Sequence, residues 1–162
     1  MNPLESQIIT ILEGQRMCYL ATTNQSFVDN AMVAYYSEGF DLYFGSFRDT
    51  LKCRNIDENP HVAIGVGKLQ IHGSAQLIAA ESPEHQEYVA KYLTKFPNYQ
   101  FYFELQNNEL YRIKPLVIWL YDSSKGTMHR DRLIIDQDYY HQLQPYETPE
   151  KFQKKNVVSS QT

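Results

Sequence analysis

Apolar positions along this chain fall into short stretches, and turn residues separate each stretch from the next. Six or seven of these stretches have the length and the alternation of β-strands. They cover residues 17–22, 28–36, 41–45, 61–66, 69–79, 110–113 and 116–121. Pro115 stands between the last two, which are therefore either two strands or one strand broken at the proline. The pattern predicts a protein built mainly from β-strands.

Three further segments combine helical spacing with residues that typically begin or end helices. They lie between Asn2 and Gly14, between Asp49 or Thr50 and Pro60, and between Ser82 and Pro97. Residues 98–108 are rich in aromatic side chains but show no period, so the sequence assigns them to neither class. The helices therefore fall at the start of the chain, in one strand connection and in the middle.

Short strands with a few helices between them are typical of a small antiparallel barrel with helices packed outside it. An open sandwich is the alternative. No repeat or linker divides the chain, so we predict a single domain over residues 1–143. From Gln144 onward the sequence is polar and interrupted by prolines, and we predict a mobile tail over residues 144–162.

The composition of the chain argues against several classes of protein. The 162 residues carry a formal net charge of −4 and no basic tract, which argues against a nucleic-acid partner. No apolar run approaches the roughly 20 residues of a membrane span, and no signal peptide is visible. Cys18 and Cys53 are too few for a disulfide framework, and the five histidines show no metal spacing. We therefore expect a cytoplasmic protein with no membrane partner and no metal site.

The segment from Ser46 to Lys52 carries the clearest chemical signal. It joins a predicted strand to the short helix, and Lys52 lies in the first turn of that helix. The first amide groups of a helix are free to donate, and the helix dipole is positive at this end. Together with a lysine, these features predict a site for a phosphate ester.

A series of short motifs extends from Met17 to Asp122. The motifs are Leu20-Ala-Thr-Thr23, Val33-Ala-Tyr-Tyr36, Leu42-Tyr-Phe-Gly-Ser46, Arg48-Asp-Thr-Leu-Lys52, Arg54-Asn55, Asn59-Pro60 with Val62, Ile71-His-Gly73, Tyr111-Arg-Ile113 and Trp119. In their order and spacing they resemble the pyridoxamine 5'-phosphate oxidase-like family of FMN-binding split barrels. The resemblance implies a six- to seven-stranded antiparallel split β-barrel with flanking helices. It also implies a homodimer that holds two FMN molecules at the subunit interface.

The resemblance also implies roles for individual residues near the FMN phosphate. Lys52 takes the place of the family's phosphate-binding lysine, and Thr50 is the hydroxyl donor beside it. Gly45 and Ser46 fall where the chain passes the flavin at the end of a strand. Leu51 stands where the vitamin-making oxidases have an arginine, and Arg48 or Arg54 is the candidate to compensate.

Other positions correspond to residues near the flavin ring. The strand that runs along the ring contributes Asn30, Ala31, Met32 and Val33, and Asn30 replaces a second family arginine. Lys68 occupies the place of a family glutamine. Tyr121 and Arg132 would come from the partner subunit. The family's substrate-binding Arg-x-His segment is not reproduced, because only Asp131-Arg132 matches well there.

These correspondences favour an FMN-dependent oxidoreductase whose small-molecule substrate or electron donor the sequence does not identify. One alternative is a flavin-binding protein without turnover of its own, such as a stress-related protein or a cofactor carrier. A haem-binding split barrel that uses His129 or His141 is a second alternative, and a deazaflavin-using reductase is a third. The acidic composition offers no broad basic groove for the longer anionic tail of a deazaflavin.

Overall fold

A computed structural model describes residues 1–147 as an antiparallel β-sheet of eight strands with helices around it. The strands are β1 Met17–Thr23, β2 Val28–Ala34, β3 Tyr36–Glu38, β4 Asp41–Phe47, β5 His61–Val66, β6 Leu69–Ile78, β7 Asn108–Tyr121 and β8 Arg130–Ile134. The α-helices are α1 Pro3–Gly14, α2 Leu51–Glu58, α3 Pro83–Lys95, α4 Gln100–Phe103 and α5 Gln137–Leu143. Short 3-10 turns occur at Pro97–Tyr99, Ser123–Lys125 and Gln144–Tyr146.

Seven strands follow one another in the order β2-β1-β5-β6-β7-β4-β3, and β8 pairs with β7 beside this path. Every pairing is antiparallel. The predicted fold class, a mainly antiparallel split barrel with flanking helices, is confirmed. The pairing of β7 with both β4 and β6 joins the two halves of the sheet.

Strand β7 passes through Pro115 without a break, so the two predicted strands are one. Proline has no amide hydrogen for a sheet ladder. The register shifts between His72 and Gly73, which places Gly73 opposite Pro115. A Cβ at position 73 would lie 2.8 Å from Cγ2 of Ile113 and 3.0 Å from the Lys114 carbonyl oxygen. The bulge and the glycine thus let a fourteen-residue strand include a proline.

The core lies between the inner face of the sheet and α1. Asn2 and Glu5 form a reciprocal capping box that starts α1. Ile8 and Leu12 of this helix are fully buried. The hydroxyl group of Tyr35 donates to the Leu12 carbonyl at 2.7 Å, which ties the helix to the chain between β2 and β3.

Several local predictions change in the structure. The stretch predicted over residues 28–36 is divided at buried Tyr35, whose amide donates to the Arg16 carbonyl instead of a sheet partner. The aperiodic segment at 98–108 forms a 3-10 turn, α4 and the start of β7. Strand β8 and helix α5 have no counterpart in the sequence prediction. Residues 144–146 continue as a 3-10 turn, and the rest of the predicted tail from residue 148 lies outside the described residues.

None of the helices within residues 1–147 has both the length and the apolar character needed to cross a membrane.

Candidate functional site

A groove of about 240 Å³ opens where the end of β4, the start of α2 and the middle of β2 come together. Its lining residues are Met17, Met32, Val33, Ala34, Gly45, Ser46, Phe47, Thr50, Lys52, Tyr92, Tyr99, Tyr102, Phe103 and Asn108. The polar members from the β4–α2 connection are Ser46, Thr50 and Lys52. The remaining lining residues are mostly apolar or aromatic. A ligand that fits this chemistry has one polar or anionic part and one flat apolar part.

The start of α2 is left without a side-chain cap. Thr50 is the N-cap residue, but its side chain does not accept from the helix amides. Its hydroxyl group instead donates to the Phe47 carbonyl at 2.9 Å and lies 3.1 Å from Oγ of buried Ser46. The amides of the first turn therefore have no acceptor from the cap side chain, and Thr50 and Lys52 beside them line the groove. This arrangement suits an anion that supplies the missing acceptor.

The cations around α2 differ in their surroundings. Lys52 is half-buried and lines the groove, and within residues 1–147 it pairs with no carboxylate. Arg48 does not line the groove and pairs with Glu109 at 2.7 Å, and this hydrogen bond raises the pKa of the Arg48 guanidinium. Arg54 is exposed and does not line the groove. Neither arginine lines the groove of one chain, so their predicted role in compensating for Leu51 stays a prediction.

One wall of the groove consists of aromatic rings from α3 to α4, which the sequence prediction did not include. The Tyr92 ring contacts those of Phe103 and Tyr99, with centroids 5.3 Å and 6.3 Å apart respectively. Tyr102 extends this wall and meets Phe47 at 5.9 Å. Burial raises the pKa of Tyr92, so its phenol stays neutral and donates to the Ala34 carbonyl at 3.3 Å. The unusual density of aromatic residues at 98–108 was the only sequence signal for this wall.

Half of the predicted cofactor residues line this groove, namely Met32, Val33, Gly45, Ser46, Thr50 and Lys52. Asn30 and Ala31 precede Met32 on β2 but are not among the lining residues. Leu51 begins α2 and is exposed outside the groove. The structure thus brings the predicted phosphate residues together with part of the strand predicted to run along the ring.

The other three predicted residues lie elsewhere on the chain. Lys68 and Tyr121 line a separate cavity of about 720 Å³ against α1, and the Tyr121 amide donates to the Lys68 carbonyl at 3.0 Å. Arg132 lies on β8 directly opposite Trp119 of β7. Its guanidinium donates to the Tyr140 hydroxyl and, at 2.6 Å, to Oε2 of Glu147. None of the three lines the groove within one chain.

The outer face of β1 and β2 carries exposed apolar side chains. Tyr19 and Met32 stand opposite each other in the register, and they are 58% and 59% exposed. Val28 lies on the same face at 79% exposure, with the exposed polar Asn30 between it and Met32, and Phe27 just before the strand is 59% exposed. Exposed apolar side chains grouped on one sheet face are typical of a protein contact surface.

The histidines do not form a metal site. Within residues 1–147, no cluster of three or more His, Cys, Asp or Glu side chains could hold a metal ion. His129 contacts Asp131 at 3.0 Å, and His141 is exposed on α5. Burial raises the pKa of Asp131, but hydrogen bonds from Lys125 and His129 outweigh it and hold the pKa of Asp131 below its usual value.

Comparison with solved structures shows that the fold is shared with proteins of several roles. General stress protein 26 of Bacillus anthracis superposes with a TM-score of 0.62 at 23% identity, over 82% of this chain and 98% of that one. A haem storage protein of Vibrio cholerae gives 0.63 at 16% identity, over 81% and 94%. An FAD-binding protein of Mesorhizobium loti gives 0.60 at 16% identity, over 73% and 90%. At these identities the likeness concerns the fold.

A search of the curated proteins gives no significant match. A family model described as pyridoxamine 5'-phosphate oxidase matches residues 4–122, which include α1, all strands from β1 to β7 and the groove between them. The chain therefore belongs to the pyridoxamine 5'-phosphate oxidase-like family.

Proposed function

We propose that this protein binds FMN in the groove at the start of α2 and acts as an FMN-dependent oxidoreductase. The observation that carries the proposal is the uncapped first turn of α2 beside Lys52, a lysine without a carboxylate partner within residues 1–147. A dianionic phosphate ester would satisfy the free amides and the ammonium group at once.

Different residues of the groove would contact different parts of such a ligand. Lys52 and the first amides of α2 would bind the phosphate, and the Ser46 hydroxyl can turn to donate to the same oxygens, whereas the Thr50 hydroxyl donates to the Phe47 carbonyl. Gly45 leaves room for the Phe103 ring, which lines the groove beside it. Val33 and Met32 would contact one side of the flat part, and Tyr99 and Tyr102 would exclude water from the other.

FMN, when bound, supplies the redox chemistry by accepting a hydride equivalent from a reduced donor. The protein then needs to bind, orient and shield the reactants, and needs no acid–base pair of its own. That the protein needs no acid–base pair agrees with the lining of the groove, in which the charged residue is Lys52, the candidate for binding the phosphate. The substrate is a small molecule that reaches the part of the ring extending beyond this small groove.

We further propose that the functional form is a homodimer. The groove of about 240 Å³ is smaller than the 300–1,000 Å³ of typical cofactor pockets, so one chain accommodates only part of an FMN molecule. The exposed apolar face around Tyr19 offers a surface for a second copy. Lys68, Tyr121 and Arg132 lie outside the groove and would meet the flavin only across such an interface.

The visible spectrum of the untreated purified protein tests the proposal first, and calorimetry with FMN and riboflavin tests it next. We expect a yellow protein that binds FMN much more tightly than riboflavin, because riboflavin lacks the phosphate. Anaerobic addition of NADH or NADPH should then bleach the bound flavin. A colourless, folded and dimeric protein that gives no heat with FMN would contradict the proposal.

The same fold supports two other functions. General stress protein 26 shares the fold, and a flavin-binding protein without turnover would stay yellow when NADH or NADPH is added. The haem storage protein shares it as well, and a haem-binding function would give a Soret band that is lost in His129→Ala or His141→Ala.

A further inference from the structure

Glu147 lies in a pocket of hydrogen-bond donors formed by β7, β8 and α5. The indole Nε1 of Trp119 donates to Oε1 of Glu147. The other carboxylate oxygen, Oε2, accepts from Arg132 at 2.6 Å and from the Tyr140 hydroxyl at 2.7 Å. We call the set of Trp119, Arg132 and Tyr140 the carboxylate cradle.

The cradle is largely closed to solvent. Trp119 and Tyr140 are buried, and the side chain of Glu147 is only 12% exposed. Arg132 also donates to the Tyr140 hydroxyl, so the donors hold one another in place. A charge-assisted group that is this well enclosed binds its partner more strongly than an ion pair on the surface does.

The donors match the shape of a carboxylate. Each of the two oxygens of Glu147 has its own donors, and a planar carboxylate presents two such oxygens. The strands and α5 place the donors without help from Glu147. Trp119 and Arg132 are directly opposite in the register of β7 and β8, and α5 carries Tyr140. The chain that follows α5 then delivers the carboxylate.

We infer that the carboxylate cradle is a binding site for the carboxylate group of a small molecule, and that Glu147 occupies it as an internal competitor. When an external carboxylate binds, the Glu147 carboxylate leaves the cradle. That this ligand is also the substrate that reacts with the flavin is a further step, and it rests on the proposed function. Arg132 would reach a flavin only across the interface of the proposed homodimer.

The test uses Glu147→Ala in the full chain and sodium acetate as the probe. This substitution deletes a methylene and a carboxylate group, the heavy atoms of an acetate ion. Trp119 is the only tryptophan of the protein, so its fluorescence reports on the cradle. Acetate should change this emission in a saturable way in Glu147→Ala, while sodium chloride at equal ionic strength should not.

Three matched proteins complete the experiment. In the wild type and in Glu13→Ala, which removes an exposed carboxylate of α1, Glu147 still competes for the cradle, so the saturable response should appear only at a much higher acetate concentration than in Glu147→Ala. Adding Arg132→Gln to Glu147→Ala should weaken acetate binding about tenfold or more, since a charge-assisted partner is lost. If Glu147→Ala does not fold, Glu147→Gln replaces it. Its amide nitrogen would face a donor, so acetate should displace it at higher concentration.

The absence of a saturable response in folded Glu147→Ala, or in Glu147→Gln where that variant is used, would overturn the inference, as would a response that Arg132→Gln leaves unchanged. Glu147 would then be a structural link between β8 and the chain after α5. The acetate experiment contains no flavin, so its result does not depend on whether FMN binds. If the protein binds acetate in the cradle but does not bind FMN, the inference about the cradle stands and only the proposed function is refuted.

Discussion

Phe103 lies so close to Gly45 that a Cβ at position 45 would be 2.8 Å from Cζ of the phenylalanine ring. This contact brings the aromatic wall against the end of β4, beside the residues proposed to bind phosphate. Asn108 lies on the same side, with its Oδ1 at 3.4 Å from that Cβ position. The width of the groove therefore depends on a residue without a side chain.

Replacing Gly45 by alanine tests this dependence. The added methyl group should push the Phe103 ring into the groove, so FMN affinity should fall, and overpacking should cost about 1–3 kcal/mol of unfolding free energy. Calorimetry and urea unfolding measure the two effects. Gly14→Ala is the control, because nothing lies within 4 Å of its Cβ position. Unchanged FMN affinity in Gly45→Ala would place the flavin elsewhere.

Lys52→Ala should weaken FMN binding with little effect on the fold. A charge-assisted contact contributes about 1.5–3 kcal/mol, which corresponds to a loss of affinity of about tenfold to a hundredfold. Arg54→Ala removes a cation from the same helix but outside the groove, and we expect it to bind FMN as the wild type does. Equal losses in the two variants would indicate a general effect of charge rather than a phosphate site at Lys52.

Thr50→Asp should separate helix stability from ligand binding. Aspartate at the N-cap would accept from the free amides of α2 and stabilise the helix, which offsets the lost Thr50 contacts. The unfolding free energy should stay within about 1 kcal/mol of the wild type. FMN binding should be lost, because the carboxylate occupies the amides and repels the phosphate. Thr50→Asn caps without charge and should retain weak binding; if Thr50→Asp binds FMN normally, the α2 amides are not the phosphate site.

His72 should make the protein less stable as the pH falls below about 6.5. Burial lowers the pKa of His72, and the nearby Glu147 only partly offsets this effect. The unfolded chain therefore takes up a proton at a pH where the folded chain does not, so stability is complete above the unfolded pKa and declines below it. Urea midpoints from about pH 7.5 to 5 measure the decline. His72→Gln should flatten this part of the curve.

Acidic groups change the stability of the protein at a lower pH than His72 does. Hydrogen bonds from Lys91 and Tyr88 hold the pKa of Glu38 below its usual 4.5, so the stability it contributes is lost only at lower pH. A His72→Gln curve as steep as that of the wild type between about pH 7.5 and 5 would assign the decline to another group.

Tyr19→Glu should disrupt the proposed homodimer. A carboxylate on the exposed face of β1 and β2 would be buried without a partner in the dimer, so sedimentation should show monomers. Leu77→Glu is the matched control, because Leu77 is also an exposed apolar strand residue, at 52%, but pairs with Tyr111 on β7. A Tyr19→Glu protein that remains dimeric would exclude this face as the interface.

Much of the fold could be predicted from local patterns. Alternation located the strands, and Asn2, Ser82 and Thr50 marked helix starts that the structure contains. The division at Tyr35 was not predictable in this way, because it depends on a hydrogen bond to the distant Arg16 carbonyl. Pro115 was ambiguous for a similar reason, since its place in β7 depends on the bulge at Gly73.

The candidate site likewise combines residues that the sequence predicts with residues that only the tertiary structure brings together. The sequence by itself determined the β4–α2 connection with Ser46, Thr50 and Lys52, because short-range strand and helix preferences place these residues within seven consecutive positions. Only the tertiary structure decided that Phe103 lies against Gly45 and that Glu147 fills the carboxylate cradle. Contacts between residues far apart in sequence depend on how strands and helices pack, and hydrophobic periodicity carries no information about which distant side chains will meet.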